Sequence, residues 1–269
     1  MHRRQFIRDV LLWSAGVGLA LPRFTISPAA MAAERPAPLV SVARSADYPA
    51  LVAQVLEPLG SMTAFVRPGD RVVVKPNIGW DRSPEQGANT HPQVVRTVVE
   101  AALAAGAARV LVVDRPCNEP RRCYAASGIE AAVQAIGDRR AVIEHADPRK
   151  FVPVEISRGQ ALTRWDIHRD ALDCDCYINL PVAKHHGLSG LTLGLKNSMG
   201  AIGGNRGTLH HDLAQSLADL ATVLQPKLTL IDATRILLRN GPQGGDVADV
   251  RRLDTLVSSA DPVAADAWA

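Results

Sequence analysis

The chain has 269 residues, 47% of them hydrophobic, only 4% aromatic and 21% charged, with a formal net charge of +3. That is enough apolar material to bury a full core in one large or two small domains. Arg3, Arg4, Arg8 and Arg23 against Asp9 account for the whole charge excess, so residues 34–269 are neutral. Nothing in the charge balance points to nucleic acid or an anionic membrane as a partner.

The first 33 residues are set apart from the fold. Arg3-Arg4-Gln5-Phe6-Ile7-Arg8 leads into an apolar run from Val10 to Leu21 and a small-residue segment from Ala29 to Ala33. The pattern resembles a twin-arginine export signal. Its apolar run of about a dozen residues is too short to cross a bilayer core of ~30 Å, so no stable membrane anchor is expected. The resemblance implies a periplasmic or otherwise exported protein, with the twin-arginine translocase as a partner during export.

Residues 34–269 read as one α/β domain, a mostly parallel sheet flanked by helices in Rossmann-like layers, since Ala, Val and Leu dominate over aromatics. Val40–Ala43 is expected as a first strand and Tyr48–Leu59 as a helix. Arg71–Asn77 is a continuous apolar run of the kind buried in parallel sheets. It ends on Lys75 and Asn77 before a polar loop, 79–90, placed where α/β sheets gather ligands. Lys75 reads equally as a ligand contact or as a lysine snorkelling at a strand end. Thr90-His91-Pro92 opens a helix whose buried face holds Val94, Val95, Val98, Val99, Ala102 and Leu103. Arg109–Asp114 is the next strand, giving a parallel crossover.

Tyr124–Ile136 is expected as one helix despite Gly128, and Arg140–Glu144 with Phe151–Ile156 as a hairpin. Asp173–Val182 is a further buried strand. Asp212–Leu224 is an amphipathic helix, Lys227–Asp232 and Leu253–Ser259 are strands, and Asp261-Pro262 opens a final helix. The glycine-rich turn Arg239–Asp246 is placed to close over a pocket.

Chemistry concentrates between Ile178 and His211, which hold Lys184, Lys196, Asn197 and four of the eight histidines. Gly200, Gly203, Gly204 and Gly207 permit φ > 0 and an anion nest of backbone N–H groups. With Lys75 as a third charge, the segment suits a phosphate or carboxylate. His186 is the preferred proton-transfer residue, with His210 or His211 second. Neither a Walker-type P-loop nor a strand-linked G-x-G-x-x-G occurs. Cys117 and Cys123 are spaced to pair as a disulfide. Cys174 and Cys176, two apart in an expected strand, would face one side and suit two metal ligands, or serve as small core residues.

VVVKPN at 72–77, THPQVVRTVVEAALAAGAARVLVVD at 90–114, INLPVAKHHGLSGLTLGLKNSMG at 178–200 and DPVAADA at 261–267 together resemble the domain-of-unknown-function family 362. Lys75, Asn77, Thr90, His91, Lys184, His186, Lys196, Asn197 and Gly200 fall on family motif positions. Members often carry an appended iron–sulfur module, but the C-x-x-C-x-x-C-x-x-x-C-P run is missing here, so no ferredoxin-type cluster is expected in this chain. The family usually continues past the Asp-Pro-Val-Ala segment, which implies a C-terminal truncation.

Two functional expectations follow. In one, an exported enzyme binds a small anionic molecule through Lys75, Asn77, Thr90, His91, Lys184, Asn197 and Gly200, with His186 and Lys196 as catalytic residues. In the other, a non-catalytic redox-accessory protein carries a metal ion through Cys174, Cys176 and one histidine.

Overall fold

A computed structural model describes residues 37–269; the expected export signal lies outside the described residues. In chain order come β1 (Val40–Arg44), α1 (Tyr48–Leu56), β2 (Arg71–Pro76), α2 (Pro92–Ala104), β3 (Arg109–Val112), α3 (Pro120–Ala126), α4 (Ile129–Gln134) and β4 (Ala141–Ile143). An antiparallel hairpin follows, β5 (Phe151–Glu155) and β6 (Arg164–His168), then α5 (Arg169–Asp173), β7 (Cys176–Leu180), β8 (Val182–His186), β9 (Gly190–Thr192) and α6 (Gly194–Asn197). The last elements are α7 (Leu213–Ala221), β10 (Leu228–Leu237), β11 (Val250–Ser259) and α8 (Pro262–Trp268).

The main sheet runs in the order β1-β11-β10-β7-β2-β3-β4, parallel from β10 through β4 and antiparallel at β11 and β1. Val72, Val73 and Val74 show why β2 reads as an unbroken apolar run: all three are buried. Alternate side chains point to opposite faces. Val72 and Val74 pack with Val55, Val95, Val99 and Ile129 of the helices on one face, while Val73 packs with Ile156, Ile167 and Leu220 on the other. The fold is therefore α/β, a mostly parallel sheet between helical layers. None of the described helices is long and apolar enough to cross a membrane.

Several local expectations are corrected. The helix expected at 124–136 is two, because Gly128 adopts φ +70 and serves as the N-cap of α4. Phe151–Glu155 pairs with Arg164–His168, whereas β4 joins the main sheet beside β3. The strand expected at 173–182 starts only at Cys176, since Arg169–Asp173 is helical, and Pro181 separates β7 from β8. All four cysteines are free thiols, so Cys117 and Cys123 do not pair.

Cys174 and Cys176 do not share a face. Cys176 is buried with the α1–α2 core, and Cys174 packs against the opposite cluster. Burial raises their thiol pKa values to about 11 and about 12. Protonated thiols on opposite sides of a sheet do not make a joint metal site.

The connection between β5 and β6 is held to the domain by one carboxylate. Asp219 on α7 accepts the backbone N–H groups of Gln160, Ala161 and Leu162 at 3.0, 2.7 and 2.9 Å. Asp219→Ala strands three amides and is expected to lower stability by ~2–3 kcal/mol in urea unfolding. An unchanged midpoint would mean that water replaces the carboxylate without loss.

Candidate functional site

The carboxyl ends of β2, β3 and β7 deliver Lys75, Asp114 and Asn179 to one edge of the sheet, the place where open α/β sheets bind ligands. Lys75 and Asp114, 1% and 2% exposed, form an ion pair at 2.8 Å. Both are saturated. Lys75 Nζ also donates to Asn197 Oδ1 and the Pro76 carbonyl, each at 2.9 Å. Asp114 accepts the Ile78 and Arg115 backbone N–H groups at 2.7 and 2.9 Å. Burial lowers the Lys75 pKa, and Asp114 opposes that shift.

Gly200 stands against this pair. A Cβ there would lie 1.8 Å from Asp114 Oδ1 and 2.6 Å from Lys75 Nζ. Its role is close approach rather than a left-handed turn; of the four glycines expected to form a nest, only Gly204 has positive φ. The Gly203 N–H is spent on the Asp166 carbonyl.

Asn197 is a connector. Its Oδ1 accepts from Lys75 and from Asn77 Nδ2, and its Nδ2 donates to the Lys75 carbonyl and Asn179 Oδ1. Thr90 is equally structural: its hydroxyl accepts the Asn77 N–H and donates to the Leu180 carbonyl. Lys184 Nζ donates to Asn77 Oδ1 at 2.9 Å and to the Ala88 carbonyl. It is buried without a contacting carboxylate, and burial lowers its pKa to about 7.

Above this floor lies a cavity of about 530 Å³. Its walls include Lys184, Lys196, Arg115 and Arg206, with His186, His210, Cys117 and Trp80. The one carboxylate among its lining residues is Asp114, already neutralised by Lys75. Lys196 Nζ sits 3.4 Å from His210 Nε2 and 3.6 Å from Met199 Sδ, and burial lowers its pKa to about 8. Arg206 donates to the Arg115, Met199 and Pro116 carbonyls, and reaches Cys117 Sγ at 3.2 Å. Arg115 donates to the Ile202 and Gly204 carbonyls.

His186 is held in one tautomer. The Leu188 and Ser189 backbone N–H groups donate to its Nδ1 at 3.2 and 3.3 Å, which places the ring proton on Nε2. Burial, then the neighbouring Lys196 charge, lowers its pKa to about 4. At neutral pH it therefore presents an N–H donor. It stacks on His210, ring centroids 5.8 Å apart.

His91 lies elsewhere. It caps α2, accepts the Gln93 N–H through Nδ1, stacks on Tyr48 and does not line the cavity. Thr90 is not among the lining residues either, and Lys75 lies beneath the floor. His211 is exposed and also outside the lining. The 239–246 turn contributes Pro242 to the wall.

Sequence reasoning missed Arg115, Arg206 and Asp266. Asp266 on α8 accepts the Gly194 and Leu195 N–H groups at 2.7 and 2.8 Å, anchoring the segment that carries Lys196 and Asn197. Its place in DPVAADA was the available signal. Arg115 sits in an irregular loop and Arg206 opens a 3-10 turn at 206–212, and neither carried one.

Removing one member of the buried pair leaves an uncompensated charge. Lys75→Met and Asp114→Asn are each expected to cost about 3–5 kcal/mol in chemical unfolding. A loss below 1 kcal/mol or so would show the pair to be solvated. His91 and His186 are neutral in the fold, with pKa values of about 4 against about 6.5 unfolded. Between those values the unfolded chain binds more protons, so stability falls as pH drops from 6.5 to 4. Urea midpoints across that window should flatten in His91→Gln, and an unaltered slope would contradict the assignment.

The chain is 32% identical over 248 residues to a thylakoid-associated protein of Synechocystis sp., an alignment covering 84% of this chain and 72% of that protein. Two solved structures are similar to it in part. A Thermotoga maritima protein gives a TM-score of 0.48 at 10% identity, covering 81% of this chain and 56% of the other. The lactate racemase apoprotein of Thermoanaerobacterium thermosaccharolyticum gives 0.47 at 11% identity, covering 84% and 55%. The chain thus spans just over half the length of these two structures, and at such scores neither bears on the site's chemistry. Residues 72–269 match the model of the domain of unknown function DUF362, and the chain belongs to that family.

Proposed function

We propose that this protein is an exported enzyme that binds a small anionic substrate in the cavity above the Lys75–Asp114 pair. The observation that carries this reading is the convergence of Arg115, Lys184, Lys196 and Arg206 on a space whose one lining carboxylate is already paired. Like charges brought together without a counter-ion favour an anionic ligand. The support for export remains the twin-arginine pattern at residues 3–8.

The roles follow from which atoms are free. Arg115 spends only Nη1 on backbone carbonyls, so its Nε and Nη2 edge is open to a carboxylate or phosphate, while Arg206, its Nη atoms engaged with three carbonyls and the Cys117 sulfur, keeps its Nε–H and its charge. The His186 Nε2–H can donate to an oxygen on which charge develops. Lys196, with its pKa of about 8, is the amine suited to accept a proton near neutral pH. Lys75, Asn77, Thr90 and Asn197 position these groups from below.

Binding should couple to protons. An anion favours the charged forms of Lys184 and Lys196, so inorganic phosphate or a small carboxylate is expected to bind with proton uptake at about pH 8. Affinity should fall as pH rises beyond 8. Calorimetry in two buffers of different ionisation enthalpy measures the uptake. Arg206→Ala should weaken binding about tenfold or more. Affinity independent of both pH and Arg206 would overturn the reading.

A further inference from the structure

This chain uses lysine sparingly. Its 30 basic residues include five lysines, Lys75, Lys150, Lys184, Lys196 and Lys227, the others being arginine. Where charge alone suffices, arginine is the usual choice, yet three of the five lysines meet at this site. Two are spoken for. Lys75 Nζ has three oxygen acceptors, and Lys184 Nζ has the Asn77 amide oxygen and the Ala88 carbonyl. Lys196 differs in having a thioether and an imidazole as its neighbours, neither carrying negative charge. An amine in a partly dry cavity beside other cations is in the setting that activates lysine as a nucleophile.

We infer that Lys196 forms an imine with the carbonyl carbon of an anionic aldehyde or 2-oxo acid, a step that rests on the anion-binding reading above. The free amine attacks the carbonyl carbon, a C–N bond forms, and the C=O π pair moves to oxygen. That oxygen develops its charge against the His186 Nε2–H. One proton passes from the attacking nitrogen to the oxygen, with His210 Nε2, 3.4 Å from Lys196 Nζ, available as relay. A second proton, from Lys184 in the charged form that the bound anion favours, lets the oxygen leave as water. The product is an iminium and one water, with no change of oxidation state, and hydrolysis reverses it. Burial supports the step by lowering the Lys196 pKa to about 8, so that roughly half of this amine is free base at pH 8, where an exposed lysine is almost wholly protonated. Arg115 and Arg206 would hold the substrate's anionic group, and Trp80 with Pro242 offers apolar wall for its body.

The test uses pyridoxal 5′-phosphate as a probe carrying an aldehyde and a phosphate. The full chain is incubated with it at about pH 8, reduced with borohydride and mapped by peptide mass spectrometry. Visible imine absorption is expected, with reduced label on Lys196 about tenfold or more above Lys150 and Lys227. Lys196→Arg keeps the charge but cannot form the imine. It should lose both the absorption and the reduced label at position 196 while retaining a native circular dichroism spectrum. Even labelling of Lys150, Lys196 and Lys227, with phosphate binding intact, would overturn the imine and leave the anion site standing. No phosphate binding together with no preferential Lys196 label would overturn both.

Discussion

A lysine and an aspartate kept out of water can coexist only if every donor and acceptor they carry is met, and the architecture around the sheet edge follows from meeting them. Lys75 ends β2 and Asp114 follows β3, so their contact locks two parallel neighbours together. The remaining hydrogen bonds reach Asn197 on α6 and the amides of Ile78 and Arg115. Gly200 must pass within contact distance of the pair, which leaves no room for a side chain. One buried interaction thereby fixes the 194–200 segment, the start of the loop after β2 and the loop after β3. Those are the three stretches that surround the cavity.

The site divides into a saturated floor and an unsaturated rim. Floor groups such as Lys75, Asn77, Thr90 and Asn197 have their polar atoms engaged with one another and with backbone. Rim groups are cationic or donor-bearing, with Lys184 reaching up from the floor to join Lys196, Arg115, Arg206 and His186. Placing these charges around one space without a neutralising carboxylate is unfavourable in the free protein; burial first, and the neighbouring cations after it, depress the lysine pKa values. Polar groups arranged against local stability in this way are characteristic of functional sites.

Much of the sheet was legible because period and length decide buried parallel strands, as Val72–Val74 and Val110–Val112 show. The site's neighbourhood was legible too, since glycines and lysines at the end of an apolar strand are hard to explain as packing. What sequence could not supply was which atom of each residue is free. Asn197 was expected among the binding residues and is a four-way connector; His186 was expected to transfer a proton, and only the two backbone amides on its Nδ1 show that its Nε2 carries the ring proton. Cys174 and Cys176 misled for a simpler reason: the helix α5 runs up to Asp173, so the two-residue period expected of a strand does not apply across them. Arg115 acts from an irregular loop and Arg206 from the start of a 3-10 turn, where no apolar periodicity betrays a side chain's direction.

The central claim is that the cavity gathers cations that await an anion, and the lysine side chains report it directly. With lysines at five positions, selective isotopic labelling of the side-chain amines allows each to be titrated by nuclear magnetic resonance, with and without inorganic phosphate. The account predicts that Lys184 and Lys196 titrate at about 7 and about 8, and that phosphate moves both upward while Lys150 and Lys227 stay unmoved. Ordinary lysine titration of both residues near 10, unaffected by phosphate, would contradict it.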